Sequence, residues 1–372
     1  MRLREIELRR LEMTLVAPVA TAKERHVRRP ILLLRVTTDE GVGYGECDAL
    51  ETTRYAGESI DTAEVTLAQS IIPDLLKRGA EYSSLEEAVG SLSTQGAAPM
   101  ATSAIEMALM DAALRARGRS LATYLEVSRV AIPAGATVGI GPVRDVLAAV
   151  NDVVASGIRR IKLKIAPDVD VVAVRTIRDH CPDVEIVVDA NGSYTISDPS
   201  HRAALRALDD FGLSAIEQPL SAEDLDGHAQ LVKELRTRIL LDESIANLDR
   251  LDRVLDAGAC TAVCVKPARL GGIFAARKAR DRCLAAGVPC AIGGLFEAGL
   301  GRAAAIAVGA LDGFDVAGDL GPSSRYFRDD ITTPHKLFQG MLPVPMRPGL
   351  GVDVRQDIVD ALTARSHQFL PS

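Results

Sequence analysis

An α/β fold, built on a closed barrel of alternating strands and helices behind a smaller strand-and-helix block, is predicted by three observations. Short apolar strands recur from residue 137 onward, at 137–141 (TVGIG), 161–165 (IKLKI), 186–191 (IVVDAN), 215–220 (AIEQPL), 239–244 (ILLDES), 262–267 (AVCVKP), 289–294 (PCAIGG) and 315–320 (DVAGDL), with helical stretches between them. The polar residues near successive strand ends, Lys164, Asp189, Glu217, Asp242 and Lys266, are 25, 28, 25 and 24 residues apart, the length of one strand-helix unit. Eight such units imply a parallel sheet closed on itself, a TIM-type (β/α) barrel. No glycine-rich nucleotide fingerprint follows the first strand, so a doubly wound open sheet is the second choice.

The block ahead of the barrel reads differently. Residues 1–12 alternate in polarity, 30–38 (PILLLRVTT) are rich in β formers, and VGYGECD follows the turn DEGVG, a pattern of antiparallel strands. Helical patterns then run to about residue 127, among them MATSAIEMALMDAALRAR. Strands followed by helices make an α+β grouping, and the chain divides into residues 1–128, a barrel over 129–320, and a C-terminal segment over 321–372.

Composition excludes several classes of function. Of 372 residues, 47% are hydrophobic and 25% charged, the balance of a globular protein, while aromatic residues make up only 3% and tryptophan is absent. A net charge of −7 argues against nucleic acid or an anionic membrane as the main partner and points to small molecules. The N-terminus, MRLREIELRR, lacks the apolar core of a secretory signal, and no apolar run of about 20 residues is present. The six cysteines are irregularly spaced, with Cys260 and Cys264 lacking a second pair nearby, so they read as reduced core thiols of a cytoplasmic protein rather than as disulfides or a zinc site.

The strand IKLKI poses the chemical question. Side chains alternate along a strand, so Lys162 and Lys164 share one face while Ile161, Leu163 and Ile165 share the other. On a solvated edge the lysines would merely discourage aggregation. In a barrel they lie beside the strand ends, where active sites sit, next to Asp189, Glu217 and Asp242. Any one of these carboxylates alone is accounted for as a helix cap. Three on consecutive strands would repel one another unless a cation sat among them, and oxygen ligands with room for water suit Mg²⁺, with Mn²⁺ as an alternative. A desolvated lysine beside other cations has a lowered pKa, so Lys164 is expected to be a neutral base, with Lys162 as the cation that keeps it neutral. Lys266 faces the same centre from the opposite side.

Lys-x-Lys, then Asp, Glu, Asp and Lys on successive strands resembles the enolase superfamily, in its muconate-lactonizing branch. The longer motifs RRIKLKIAPDVDV, VDANGSYT, IEQPL, LDESI, KPARLGG and GDLGPSSRYFRDDI resemble the o-succinylbenzoate synthase / N-succinylamino acid racemase family, over nearly the whole chain. The resemblance implies that residues 1–128 form a capping domain to which residues 321–372 return. It implies that Asp189, Glu217 and Asp242 bind Mg²⁺, and that Lys164 and Lys266 are acid/base residues assisted by Lys162. Asn191 and Glu243 would support the metal ligands and Arg269 would stand near Lys266. Thr21, Thr137, Gly293, Gly294, Phe296 and Glu297 would contact a small-molecule carboxylate, in a homo-oligomeric enzyme. The implied reaction is removal of a proton α to a carboxylate through an enediolate. It leads either to dehydration to o-succinylbenzoate, in menaquinone biosynthesis, or to racemisation of an N-acylamino acid.

The departures from the family lie around the substrate. Where relatives show Pro-Phe-x-Thr-Ser-Phe-Gly, this chain has PVATAKE at 18–24, keeping Thr21 and losing both phenylalanines. Leu295, Phe296, Glu297 and Ala298 stand where Met, an aliphatic residue, Glu and a hydroxyl residue are usual, and Tyr44 replaces a tryptophan. The reaction class is therefore expected to be kept and the substrate pocket altered. Cycloisomerisation, dipeptide epimerisation, a Schiff-base aldolase and a non-catalytic binding protein are the alternatives, the aldolase because strand-end lysines can attack carbonyls.

Overall fold

The computed structural model describes residues 1–20, 25–77, 81–92 and 98–371. Strands β1 (Leu3–Ala20) and β2 (Arg25–Thr38) form an antiparallel hairpin, longer than the polarity pattern alone predicts. β3 (Val42–Cys47) pairs with β2, and the C-terminal strand Thr363–Phe369 pairs with β1, so both ends of the chain meet in one four-stranded sheet. The helix Pro99–Ala116 lies on β3, and Gly43 and Gly45 make that contact: a Cβ on Gly45 would fall 2.0 Å from the carbonyl oxygen of Ala104. Only glycine allows a strand backbone so near a helix backbone. A short pair of β4 (Ala131–Pro133) with Met341–Pro343 leads into the barrel.

Seven parallel strands follow in sequence order: β5 (Gly135–Val138), β6 (Arg160–Lys164), β7 (Glu185–Asp189), β8 (Ala215–Glu217), β9 (Ile239–Leu241), β10 (Ala262–Val265) and β11 (Cys290–Ile292). The first begins two residues earlier than the apolar run TVGIG predicts. The eighth expected strand, 315–320, is not a strand, although it closes the ring. Cys290 N donates to Gly313 O (2.8 Å), Val316 N to Cys290 O (3.1 Å) and Gly135 N to Leu320 O (2.8 Å). The ladder breaks because the carboxylate of Asp319, not a main-chain carbonyl, accepts from Gly294 N (2.8 Å).

The two faces of the barrel strands divide as a period of two requires. Val187, Ala215, Leu240, Ala262, Cys264, Ala291, Val316 and Ala317 form an interior cluster, whereas Ile161, Leu163 and Ile165 join the main core beneath the outer helices. Those helices are started by side chains at their N-caps: Asp198, Asp224 and Asn247 accept from backbone N–H groups at the starts of Pro199–Leu208, Leu225–Glu234 and Leu248–Asp256. Among the described residues no helix is long and apolar enough to cross a membrane.

Candidate active site

The parallel register brings three of the polar strand ends to one level and the other two close beyond it. Lys164 is paired with Asp189 across β6 and β7, and Asp189 with Glu217 across β7 and β8. Asp242 and Lys266 are the first residues beyond β9 and β10. Lys162, Asp189, Glu217, Asp242 and Lys266 are all buried, so the lysines of IKLKI are no solvated edge: β6 is an inner strand and Lys162 is 6% exposed.

Each cation is held by carboxylates. Lys162 Nζ lies 3.0 Å from Glu217 Oε1, 3.3 Å from Asp189 Oδ2 and 2.8 Å from Asp319 Oδ2. Lys164 Nζ donates to Asp189 Oδ2 (2.6 Å) and to Asn191 Oδ1 (2.9 Å), and Asn191 Nδ2 donates to Glu243 Oε1 (3.0 Å). On the far side Lys266 Nζ donates to Asp242 Oδ2 (2.8 Å) and to the hydroxyl of Tyr55 (2.7 Å), while Arg269 reaches the other oxygen of Asp242 and the same hydroxyl. Gln218 ties two strand ends together, accepting from Asp242 N (3.0 Å) and Ser244 N (3.2 Å). Asn191 and Gln218, next to these strand ends, have φ of 46° and 38°, sparsely populated for non-glycine residues and typical of functional sites.

Sequence reasoning makes Lys162 the cation beside Lys164, and the immediate neighbours of both are carboxylates. Burial opposes the charge on Lys162, but Asp319, Glu217 and Asp189 outweigh it and hold its pKa well above the ordinary value. Lys266 is raised in the same way, against burial, chiefly by Asp242. The carboxylates diverge: burial and then Asp189 push Glu217 up to about 8, whereas Asp242 is held below the usual range despite burial by Arg269 and Lys266.

A metal ion fits this donor set. Five carboxyl groups, on Asp189, Glu217, Asp242, Glu243 and Asp319, outnumber four cationic side chains, on Lys162, Lys164, Lys266 and Arg269, in a site removed from water, and the upward push that Asp189 exerts on Glu217 is repulsion a bound cation would relieve. Ligand atoms of Glu217, Asp242 and Cys264 lie within 4.8 Å of one another. Burial raises the Cys264 thiol well above its ordinary pKa, which leaves the oxygens as the better donors for a hard cation. Asp189 is outside that group because its carboxylate turns to Lys162 and Lys164.

The site opens into a cleft of about 670 Å³ lined by both parts of the chain: His26, Leu50 and Tyr55 from the N-terminal part, Lys162, Lys164, Lys266, Thr137, Gly294 and Phe296 from the barrel. Thr137 donates to Asp319 Oδ2 (3.2 Å). Gly293 lies against the Lys266 side chain. Glu297 does not line the cleft: it accepts from Leu295 N (2.8 Å) and pairs with Arg302 at 2.7 Å. Thr21 lies outside the described residues. Three side chains of the site were missed by sequence reasoning. Asp319 and Gln218 stand in the motifs GDLGPSS and IEQPL, where the strand-end rule would have found them. Tyr55 comes from an irregular segment with no period to expose it.

A barrel whose strand ends gather carboxylates between two lysines, with a second sheet contributing to the mouth, defines a class of barrel enzyme acting on small carboxylates. Residues 4–125 match the mandelate racemase / muconate lactonizing enzyme N-terminal domain and residues 145–358 the enolase C-terminal domain-like family. The chain belongs to the enolase superfamily, among its o-succinylbenzoate synthases and N-succinylamino acid racemases. It is 42% identical over 365 residues to the N-succinylamino acid racemase of an Amycolatopsis species, covering 98% of both chains. It is 37% identical over 367 residues to the o-succinylbenzoate synthase of Bacillus subtilis, again covering 98% of both. An enolase-superfamily protein of Listeria innocua superposes with a TM-score of 0.93 at 32% identity, over 100% of each chain.

Proposed function

We propose that this protein removes the proton α to a substrate carboxylate with Lys164 as the base, and that its main reaction is dehydration to o-succinylbenzoate. The observation that carries this reading is the register that aligns Lys164, Asp189 and Glu217 on adjacent strands, with Asp242 and Lys266 just past the ends of the next two. In this reading residues 1–128 and 321–372 cap a barrel of residues 129–320. The free cysteines support a cytoplasmic setting.

Asp189, Glu217 and Asp242 would hold Mg²⁺, or Mn²⁺ in its place. A bound Mg²⁺ supplies positive charge where the substrate carboxylate gains its second negative charge, which lowers the barrier to proton loss. The chain's own residues do the rest. Asn191, held by Glu243, fixes the amine of Lys164; Gln218 fixes the main chain at Asp242; Lys162 adds a cation that attracts a carboxylate substrate. After taking the α-proton, Lys164 returns it to the departing β-hydroxyl, and Lys266 remains a fixed cation.

Racemisation of an N-succinylamino acid is the second reading, favoured by one observation. Lys164 and Lys266 lie on opposite sides of the carboxylate-bearing strands, so a substrate held between them presents one face to each. The Amycolatopsis relative, named for that activity, supports it. Assaying both reactions on one preparation tests the proposal: o-succinylbenzoate formation with the higher kcat/KM supports it, and absence of both reactions refutes it.

The Tyr55 hydroxyl supports Lys266 directly. Tyr55→Phe should leave the fold intact and lower kcat/KM by about tenfold to a hundredfold, the worth of a hydrogen bond from a neutral hydroxyl to a charged partner. An unchanged kcat/KM would remove Tyr55 from the site.

A further inference from the structure

The segment after β11 carries Phe296 into the cleft with a backbone φ of 57°. A β-carbon-bearing residue is strained there, so the surroundings must hold it. Two of the groups that hold it come from the N-terminal sheet. Glu46, on β3 and fully buried, accepts from Ala298 N through Oε1 (2.6 Å) and from Gly301 N through Oε2 (2.8 Å). Arg29, on β2, donates to Leu295 O (3.2 Å) and to the carbonyls of Asp48 and Ala49 (both 2.6 Å). The sheet thus grips the turn at its two ends, Leu295 and Ala298, with Phe296 between them. The Phe296 ring meets His26 of β2 at 5.7 Å and Tyr326 at 5.1 Å, centroid to centroid, completing an aromatic wall.

We propose that Glu46 is a positioning residue: its carboxylate, carried by the N-terminal sheet, holds the Leu295–Ala298 turn so that Phe296 limits the size of the substrate side chain the cleft accepts. The inference rests on the cleft being the substrate site. It goes further in assigning the wall of that site to a residue that touches no substrate. Both oxygens of Glu46 accept from N–H groups of the barrel, which is the arrangement of a latch between the two layers. A glutamine has one acceptor and must release either Ala298 N or Gly301 N.

The chain has no tryptophan, so Phe296→Trp installs a single fluorophore in the turn and reads its environment without any substrate. Adding Glu46→Gln to that variant should move the emission to longer wavelength and increase quenching by acrylamide. Glu46→Asp, which keeps the charge but is one methylene too short, should do the same if the glutamine variant folds poorly. Asp330→Asn is the control: Asp330 accepts from Gly299 N (2.9 Å) at the start of the helix Gly299–Gly309, which follows the turn, and should leave the emission unchanged. In the unlabelled protein, Glu46→Gln should lower KM for N-succinylamino acids with bulky side chains roughly tenfold relative to small ones, while kcat changes less than about threefold, as expected when a wall that excludes bulk is no longer held and the chemistry is untouched. Emission indifferent to both Glu46 variants, or a KM change equal for small and bulky substrates, overturns the inference. Should the wild-type chain turn over neither class of substrate, the functional reading falls and the fluorescence result alone decides the role of Glu46.

Discussion

Glu217→Gln should lower turnover by at least about a thousandfold, some 4 kcal/mol of barrier, while the barrel stays folded. Glu217 is the central carboxylate, paired in register with Asp189 and buried beside Lys162. A neutral amide there keeps the volume and removes the charge, so binding of a divalent cation should weaken in parallel with activity. Burial and Asp189 already push the Glu217 carboxyl up to about 8. At neutral pH that carboxyl is already largely protonated while no metal is bound, so the neutral amide changes the resting protein little, and thermal stability without metal should hold. Calorimetric titration with Mg²⁺ and a melting curve on the same variant check both halves. Full activity in the variant, with unchanged Mg²⁺ affinity, would remove Glu217 from the proposed ligand set.

Lys266→Arg should eliminate racemisation of N-succinylamino acids yet retain dehydration within about a hundredfold of wild type. Racemisation needs a base on each face of the substrate, and guanidinium does not give up its proton in the working range of pH. Dehydration asks only for a fixed cation on that side, which arginine supplies, with a penalty for the larger group. The resting structure agrees with the cationic role: Lys266 donates to Asp242 and Tyr55, and its pKa is raised against burial by Asp242. Following both reactions on one preparation, with Lys164→Ala as the variant that must lose both, measures the difference. Racemisation surviving in the arginine variant would contradict the role given to Lys266.

Much of this site was legible because strand ends repeat. Asp189, Glu217, Asp242 and Lys266 are recognisable by a spacing of 24–28 residues, and a parallel register brings equivalent positions to one rim. Position did not carry the charge state. Lys162 and Lys164 share a strand face and read as neighbouring cations, yet a side chain has several ångströms of reach, and in the folded chain the nearest neighbours of both are carboxylates. Position failed altogether for Tyr55, whose partners Asp242 and Lys266 lie about two hundred residues along the chain. The eighth strand was misjudged for a related reason. DVAGDL has the composition of its neighbours, but the Asp319 side chain takes the place of a main-chain acceptor and breaks the ladder there.

The central claim is that Lys164 removes a proton α to a carboxylate in a site whose three acidic residues hold a divalent metal. Exchange of the α-proton for deuterium, followed by proton NMR in D₂O on an N-succinylamino acid, measures that step alone, whatever product follows. Exchange should require added Mg²⁺, stop after exhaustive chelation, return when the metal is restored, and be absent in Lys164→Ala for the enantiomer whose α-proton faces Lys164. Exchange that continues at the wild-type rate in the chelated enzyme, or from both enantiomers in Lys164→Ala, would contradict the claim.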